Sequence, residues 1–200
     1  ISSRTNMYIA HRINTIAELL KIPKEFGVEI DLRDYNDRLI LQHDPFLDGE
    51  DFEEYLKVYN KSFIILNIKS ERIEYRVLEL LKKYNIKNYF FLDSSFPMIY
   101  TLKDKNMAIR FSEYEGMDTI RKMAGKINWV WIDCFTKFPL TYEIYSELKE
   151  LGYKICIVSP ELQKHSIDKI NEYRSYMLQN NIKVDAICSK IYNNHLWLST

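Results

Sequence analysis

Glycine is scarce in this sequence, with only five residues among 200. Neither a Walker-type nor a Rossmann-type phosphate loop is present, since each needs several glycines at fixed spacing. Lys plus Arg and Asp plus Glu number 28 each, so the formal net charge is zero. This balance argues against broad nonspecific binding to nucleic acid or to an anionic membrane surface. We therefore expect no nucleic-acid partner.

Long apolar runs are also missing, because none reaches the roughly 18 residues needed to span a bilayer. Residues 1–6 show no signal-peptide pattern. The three cysteines, Cys134, Cys156 and Cys188, are odd in number, and each lies in a short apolar run. This pattern predicts buried, reduced thiols in a cytoplasmic protein rather than disulfides or a metal site. The chain does not begin with Met, so whether it is a fragment stays open.

Short runs rich in β-branched and aromatic residues recur along the chain and predict strands. There are eight of them: Met7–Ala10, Val28–Leu32, Phe63–Ile68, Tyr89–Leu92, Ala108–Phe111, Trp129–Ile132, Lys154–Val158 and Asp185–Cys188. Segments with helical periodicity lie between them, most clearly Glu71–Tyr84, Thr141–Leu151 and Ser166–Asn180. A further strand-like run, Leu39–Leu41, follows a polar turn and predicts a hairpin off the second strand.

Strands separated by helices imply parallel pairing with crossover connections. Nearly continuous apolar strands imply burial on both faces of the sheet. Eight such units in 200 residues favour a small (β/α)8 barrel over an open sheet, which usually needs fewer. We expect one domain spanning residues 1–200.

Side chains that could serve in catalysis or metal binding lie at the carboxyl ends of the first strands, where barrels place their active sites. His11 follows the first strand, Glu29 and Asp31 lie two apart on the second, and His43 ends the hairpin. Residues two apart on a strand point to the same face, so the two carboxylates aim at one spot. Their repulsion is relieved by a hard divalent cation such as Mg²⁺ or Ca²⁺. Two histidines beside a cation suit general acid–base cleavage of a phosphodiester.

These motifs resemble the glycerophosphodiester phosphodiesterase family, which shares its barrel with phosphatidylinositol-specific phospholipase C and spider-venom phospholipase D enzymes. The family's His-Arg-Gly, Glu-x-Asp and His-Asp-Pro are matched, in order, by 11–13, 29–31 and 43–45. The resemblance implies that His11 and His43 are the acid–base pair. It implies that Arg12 and Lys69 contact phosphate, and that Glu29, Asp31 and Asn67 lie at the metal position.

Three departures from the family pattern stand out. Ile13 replaces the glycine of His-Arg-Gly, and residues 46–62 are too few for the subdomain that the family usually inserts there. Asn67-Ile68-Lys69 stands where the family has Glu-x-Lys, so an uncharged amide replaces a metal-binding carboxylate. A third carboxylate could come from Asp93, Glu113 or Asp133, which lie near predicted strand ends.

The leading hypothesis is metal-dependent cleavage of a small glycerophosphodiester or sugar-linked phosphodiester by hydrolysis or by transfer to a cyclic phosphate. The alternative is a catalytically degenerate barrel that serves as a binding or scaffold module. A third hypothesis is a different barrel enzyme that uses Asp133 and Glu113. The exact substrate and the oligomeric state stay open from the sequence.

Overall fold

A computed structural model describes residues 6–102, 104 and 106–198. Strands alternate with helices along the chain. The strands are β1 (Met7–Ala10), β2 (Gly27–Tyr35), β3 (Arg38–Leu41), β4 (Glu50–Asp51), β5 (Ile64–Ile68), β6 (Tyr89–Leu92), β7 (Ala108–Phe111), β8 (Trp129–Ile132), β9 (Lys154–Val158) and β10 (Ala186–Ser189). The α-helices are α1 (Ile16–Lys21), α2 (Phe52–Val58), α3 (Glu74–Lys83), α4 (Phe96–Leu102), α5 (Asp118–Met123), α6 (Tyr142–Glu150), α7 (Asp168–Gln179) and α8 (Asn194–Leu198).

The chain divides into two compact units, and each is described by itself. The first unit holds residues 10–102, and the second holds residues 6–9, 104 and 106–198. In the first unit the strand order is β4-β3-β2-β5-β6. The pairs β2–β5 and β5–β6 are parallel, whereas β3 returns antiparallel to β2. The parallel core therefore carries the predicted hairpin at one side.

In the second unit the order is β10-β9-β8-β7, and every pair is parallel. Apart from Ile109 and Arg110 of β7 and Lys154 of β9, the residues of these strands are buried, as expected for a parallel sheet covered on both faces. All three cysteine side chains lie in this unit as buried thiols that form no disulfide. The prediction that these cysteines are buried thiols without disulfides is therefore confirmed.

The predicted strands match the structure closely, and β1, β6, β7, β8 and β9 have the predicted bounds. The main difference is β2, which continues to Tyr35 because β3 pairs with its last four residues, Leu32 with Leu41 through Tyr35 with Arg38. Asn36 makes the turn between them with a φ of 55°, a conformation that Asn tolerates better than most residues. Residues 46–62, where the inserted subdomain would lie, hold only β4 and α2.

Helix starts are set by polar side chains in three cases. The side chains of Thr15, Asp51 and Thr141 accept hydrogen bonds from the backbone N–H three residues later, at 3.1, 3.0 and 3.3 Å. Such caps satisfy one of the unpaired donors at a helix N-terminus. In the part of the chain that the structure covers, no helix is long and apolar enough to cross a bilayer.

Candidate active site

All seven residues predicted for the site lie in the first unit. His11 and Arg12 follow β1, Glu29 and Asp31 are on β2, His43 follows β3, and Asn67 and Lys69 stand at the end of β5. Because β2 and β5 are parallel and paired, their carboxyl ends meet at one edge of the sheet. The fold therefore brings together residues that are up to 58 positions apart (69 − 11) in sequence.

The first cluster joins His11 to Glu29. His11 Nε2 lies 3.8 Å from Glu29 Oε1, and the backbone N–H of Arg12 donates to the same oxygen at 3.2 Å. Arg12 adopts a left-handed φ of 52°. Ile13 has no positive φ, is buried, and donates its N–H to Glu29 O at 2.9 Å. The replacement of the family's glycine at position 13 therefore causes no backbone strain.

The second cluster surrounds Asp31, whose side chain is 1% exposed. Asn14 holds Asp31 from both directions, because its Nδ2 donates to Asp31 Oδ2 and its Oδ1 accepts from Asp31 N, each at 2.9 Å. The other carboxylate oxygen, Oδ1, is buried without a hydrogen-bond partner and lies 3.9 Å from Lys69 Nζ. One oxygen of Asp31 is thus fixed, and the second is left available.

Asn67 is the direct neighbour of Asp31 across the β2–β5 pair. Paired residues on adjacent strands point to the same face of the sheet with Cβ atoms about 5 Å apart. Asn67 Oδ1 is also buried without a hydrogen-bond partner. Two unpartnered oxygens on neighbouring strands are costly unless something binds them.

The third cluster contains His43. Its Nδ1 lies 2.8 Å from Asp44 Oδ1, and its Nε2 lies 2.7 Å from an Arg12 guanidinium nitrogen. A guanidinium can only donate, so Nε2 accepts in this arrangement and Nδ1 carries the proton that faces Asp44. The hydrogen bond from His43 is the main cause of a lowered pKa at Asp44.

Arg33 connects two of these clusters and was not among the predicted site residues. Its guanidinium donates to His43 O at 2.7 and 3.3 Å and to Lys69 O at 3.2 Å. A planar guanidinium with several fixed donors is suited to bridging two backbone segments. A sequence signal for Arg33 did exist, because Glu29, Asp31 and Arg33 alternate on β2 and share one face. Asn14 had no such signal, since its role depends on a contact with β2.

The electrostatics of the carboxylate pair are unfavourable in the absence of a cation. The pKa of Glu29 is raised to about 8, chiefly because the carboxyl is buried and secondly because Asp31 is close. The Arg12 N–H and the charges of Lys69 and Arg12 oppose this shift. Near neutral pH a proton or a cation is therefore favoured beside Glu29.

The oxygen set of Glu29, Asp31 and Asn67 fits a hard divalent cation. Carboxylate and amide oxygens are the ligands that Mg²⁺ and Ca²⁺ prefer, and two of the oxygens lack other partners. Among the described side chains, however, no three His, Cys, Asp or Glu residues are placed to hold one metal ion. The site therefore offers two carboxylates and one amide, a weaker set than three carboxylates.

Three other carboxylates were considered from the sequence as possible cation ligands: Asp93, Glu113 and Asp133. Asp93 is in the first unit, directly after β6, exposed and with a φ of 61°. Asp133 and Glu113 belong to the second unit. Asp133 accepts from Arg110, Gln163 and the backbone of Cys134, and Glu113 accepts from the backbone and side chain of Thr136. Both therefore have hydrogen-bond donors within their own unit.

Comparison with known proteins gives a match by structure and none by sequence. No protein-family model matches the chain, and neither does any curated protein. A glycerophosphoryl diester phosphodiesterase from Parabacteroides distasonis superposes with a TM-score of 0.68 at 15% identity, covering 99% of this chain and 87% of that one. A glycerophosphodiester phosphodiesterase from Agrobacterium tumefaciens superposes with the same TM-score at 13% identity, covering 98% and 100%.

These likenesses define the fold class of the chain. It is an α/β protein with the (β/α)8 barrel fold of the glycerophosphodiester phosphodiesterases, as the strand count predicted. The resemblance noted from the short front motifs is thus confirmed at the level of the fold. At 15% and 13% identity the likeness carries the fold and leaves the chemistry to be argued from the site.

Proposed function

We propose that this protein is a member of the glycerophosphodiester phosphodiesterase family that cleaves a glycerophosphodiester or a sugar-linked phosphodiester. The observation that carries the proposal is the convergence of His11, Glu29, Asp31 and His43 in the first unit, beside the unpartnered oxygens of Asp31 and Asn67. Both similar solved structures are named as phosphodiesterases of this kind, which supports the same reaction class.

The two histidines take the proton-transfer roles in this proposal. His11 accepts the proton of the attacking hydroxyl, either from water or from a neighbouring hydroxyl of the substrate. His43 donates a proton to the leaving oxygen as the P–O bond breaks. Glu29 lies 3.8 Å from His11 Nε2, so a charged Glu29 would stabilise the imidazolium formed at His11.

Arg12 and His43 must separate before His43 can act as an acid. In the structure Arg12 donates to His43 Nε2, the nitrogen that would carry the transferred proton. An anionic phosphate offers the guanidinium a stronger, charge-assisted acceptor than a neutral imidazole. Substrate binding would then draw Arg12 onto the phosphate and leave Nε2 to take up a proton. Lys69 would contact the phosphate from β5.

Glu29, Asp31 and Asn67 would hold the divalent cation. When bound, Mg²⁺ or Ca²⁺ would screen the charge that builds up on the phosphate oxygens in the transition state. Asn14 would keep Asp31 Oδ2 in a hydrogen bond, so that Oδ1 remains for the cation. With only two carboxylates, we expect binding in the millimolar range rather than tighter.

Phosphorus NMR tests the proposal by following cleavage of glycerophosphocholine and glycerophosphoinositol with Mg²⁺ or Ca²⁺. His11→Ala and His43→Ala are each expected to lower turnover by about 10²–10⁴-fold, the usual contribution of general acid–base catalysis. His195→Ala is the matched control, since His195 is an exposed histidine in the second unit. No turnover by the wild-type protein on a broad diester panel would contradict the proposal.

The second candidate function is a degenerate barrel that binds a phosphate ester without cleaving it. Asn67 favours this alternative, because it removes a charge from the metal position. Calorimetry with glycerol 3-phosphate separates the two candidates. Binding to the wild-type protein, with no turnover and no effect of divalent cation, would support the binding module.

A further inference from the structure

A cleft in the second unit lies between the segment that follows β8 and helix α7. Its volume is about 270 Å³, and the rings of Phe138, Tyr173 and Tyr176 form its apolar lining. Ligand pockets usually measure about 300 Å³ or more, so this cleft has room for one ring rather than a large molecule. All seven residues of the candidate active site belong to the first unit. The cleft, called the aromatic cleft below, is therefore a second feature of the molecule.

Phe138 is held in the aromatic cleft by two ring contacts with α7. Its ring centroid lies 5.0 Å from that of Tyr173, with 32° between the planes, and 5.8 Å from that of Tyr176, with 77° between the planes. Tyr173 and Tyr176 are three residues apart on the helix, so they share one face of it. Ring pairs at these distances attract each other. The aromatic wall is thus formed without a ligand, and a flat ring that enters would extend the same packing.

Hydrogen bonds also brace the segment that carries Phe138. The hydroxyl of Thr136 donates to Glu113 Oε1 at 2.7 Å, and the backbone N–H of Thr136 donates to the same oxygen. His165 Nε2 donates to Cys134 O at 2.9 Å, since a carbonyl oxygen can only accept. These contacts hold the segment in place before binding. A preorganised site of this kind loses less entropy when a ligand binds.

The charged groups of the aromatic cleft leave one cation unpaired. Lys169 and Glu172, both on α7, form an ion pair at 2.7 Å, so their charges largely cancel. Lys137 lines the cleft from the segment after β8 and is exposed. Within the described part of the chain, its ammonium group forms neither an ion pair nor a hydrogen bond. The cleft therefore carries a net charge that one anionic group would balance.

We propose that the aromatic cleft binds a small aromatic carboxylic acid, in which a single flat ring carries one carboxylate. The ring would pack against Phe138 and Tyr176, and the carboxylate would pair with Lys137. A carboxylate brings one negative charge, whereas a phosphate monoester brings nearly two at neutral pH. One unpaired ammonium group therefore favours the carboxylate. Binding at this site uses none of the residues proposed for phosphodiester cleavage.

The dimensions of the cleft favour a small molecule over a protein partner. A stable protein interface buries about 800 Å² on each side, whereas the aromatic cleft accommodates a single ring. The side chain of a phenylalanine within a peptide would bring the ring without the charge. Such an occupant would leave Lys137 unpaired.

Three probes of similar size separate the contribution of the ring from that of the charge. Phenylacetate has both, cyclohexylacetate has the charge without a flat ring, and 2-phenylethanol has the ring without the charge. Phenylacetate should bind the wild-type protein with a Kd of about 1 mM, as expected for a ligand of about ten non-hydrogen atoms. The other two should each bind about threefold more weakly, the scale of one aromatic contact or one exposed ion pair.

Titrations followed by NMR of the backbone amides measure these affinities and locate the site, because residues 136–138 and 165–176 should shift. Lys137→Ala should weaken phenylacetate binding about threefold and leave 2-phenylethanol binding unchanged, since the alcohol has no charge. Lys183→Ala is the matched control. Lys183 is an exposed lysine that precedes β10, at the amino ends of the parallel strands, whereas Lys137 follows the carboxyl end of β8.

A second variant tests the ring contact. Tyr176→Leu keeps an apolar side chain and removes the aromatic ring, so it should weaken both phenylacetate and 2-phenylethanol about threefold. It should leave cyclohexylacetate binding unchanged. Tyr176 is half-buried, and circular dichroism checks that the variant folds.

Four outcomes would overturn the proposal. They are the absence of saturable shifts at residues 136–138 and 165–176 with phenylacetate, equal affinity for the three probes, an equal loss in Lys183→Ala, and unchanged phenylacetate binding in Tyr176→Leu. The third would indicate a general electrostatic effect. Each of these results would leave the phosphodiesterase proposal intact, because that proposal depends on the first unit. Loss of turnover without loss of phenylacetate binding would have the opposite meaning.

Discussion

Two buried aspartates, one in each unit, differ in the hydrogen bonds that their carboxylates accept. Asp133 of the second unit accepts from Arg110 at 2.6 Å, from Gln163 at 2.8 Å and from the backbone of Cys134 at 2.8 Å. Asp31 of the first unit has one oxygen held by Asn14, while the other is buried without a hydrogen bond. Both oxygens of Asp133 accept hydrogen bonds, whereas Asp31 Oδ1 accepts none and has the Lys69 ammonium 3.9 Å away.

This difference is the one expected between a structural carboxylate and the cation-binding carboxylate that we propose at Asp31. A buried charge that is paired and hydrogen-bonded is compatible with a stable fold, whereas an unpartnered oxygen carries a desolvation cost. A protein can retain a buried oxygen of this kind at a position where a bound ligand offsets the desolvation cost. Asp31 lies close enough to Glu29 to help raise the pKa of Glu29, and its nearest cation is the Lys69 ammonium at 3.9 Å. Asp133 has the Arg110 guanidinium at 2.6 Å. A cation beside Glu29 and Asp31 would relieve the repulsion between the two carboxylates.

The largest expected effect is on stability in the second unit. Asp133→Ala should lower the free energy of unfolding by about 3 kcal/mol, because it leaves Arg110 and Gln163 without their acceptor. Urea denaturation at pH 7 measures this change. Asp133→Asn keeps the size and part of the hydrogen bonding, so it should cost less. A loss below about 1 kcal/mol for Asp133→Ala would show that this network is not structural.

The second prediction concerns the pH dependence of stability in the first unit. Glu29 has a pKa of about 8 in the folded protein against its usual 4.5. The folded state then holds a proton that the unfolded state has released between these values, so stability without a cation should fall as pH rises from about 5 to 8.

Thermal unfolding in the presence of a chelator measures this slope. Glu29→Gln removes the titrating group and should flatten the curve, so the melting temperatures of the two proteins should diverge as pH rises from about 5 to 8. Ca²⁺ should raise the melting temperature of the wild-type protein at pH 8. A curve that is identical for the wild type and Glu29→Gln would contradict this description of the site.

The third prediction is a small effect at Asp31. Asp31→Asn should change the free energy of unfolding by less than about 1 kcal/mol without a cation, because the lost charge relieves repulsion with Glu29 while the amide keeps a contact to Asn14. The same denaturation experiment as for Asp133 measures it. Destabilisation as large as that of Asp133→Ala would remove the distinction between the two aspartates.

The smallest expected effect concerns the reactivity of the Cys134 thiol, which is next to Asp133 in sequence. Burial, followed by the nearby Asp133 charge, raises the pKa of Cys134 to about 12. Since the thiolate is the reactive form, Cys134 should react with a thiol reagent at pH 8 only when the protein unfolds. Mass spectrometry after timed labelling measures this rate. Rapid modification of Cys134 in the native protein would contradict its burial.

Most of the fold could be predicted from the sequence because its strands are short, apolar and nearly all buried. Tyr89–Leu92 and Trp129–Ile132 are examples whose limits were correct, since polar residues stand at both ends. The extension of β2 to Tyr35 was not predicted. Arg33 and Asp34 have little strand propensity of their own, and residues 33–35 form a strand because β3 pairs with them. A local sequence pattern does not show the stabilisation that a segment gains by pairing with another strand.

From the sequence, the candidate site could be predicted only for those residues whose type and order form a recognisable motif. His11, Glu29, Asp31 and His43 did so through their motifs, and the structure places them in one unit. Asn14 and Arg33 act through contacts made by folding, the first with β2 and the second with two backbone carbonyls. The spacing of Glu29, Asp31 and Arg33 on β2 does indicate a shared face for Arg33. The contact of Asn14 with β2 depends on tertiary geometry, which spacing along the chain does not encode.

Calorimetric titration with Ca²⁺ tests the central claim most directly, because it measures whether the carboxylates of Glu29 and Asp31 bind a divalent cation. We expect binding in the millimolar range for the wild type, loss of that binding in Glu29→Ala, and its retention in Asp133→Asn. Binding that survives Glu29→Ala, or the absence of any binding in the wild-type protein, would contradict it.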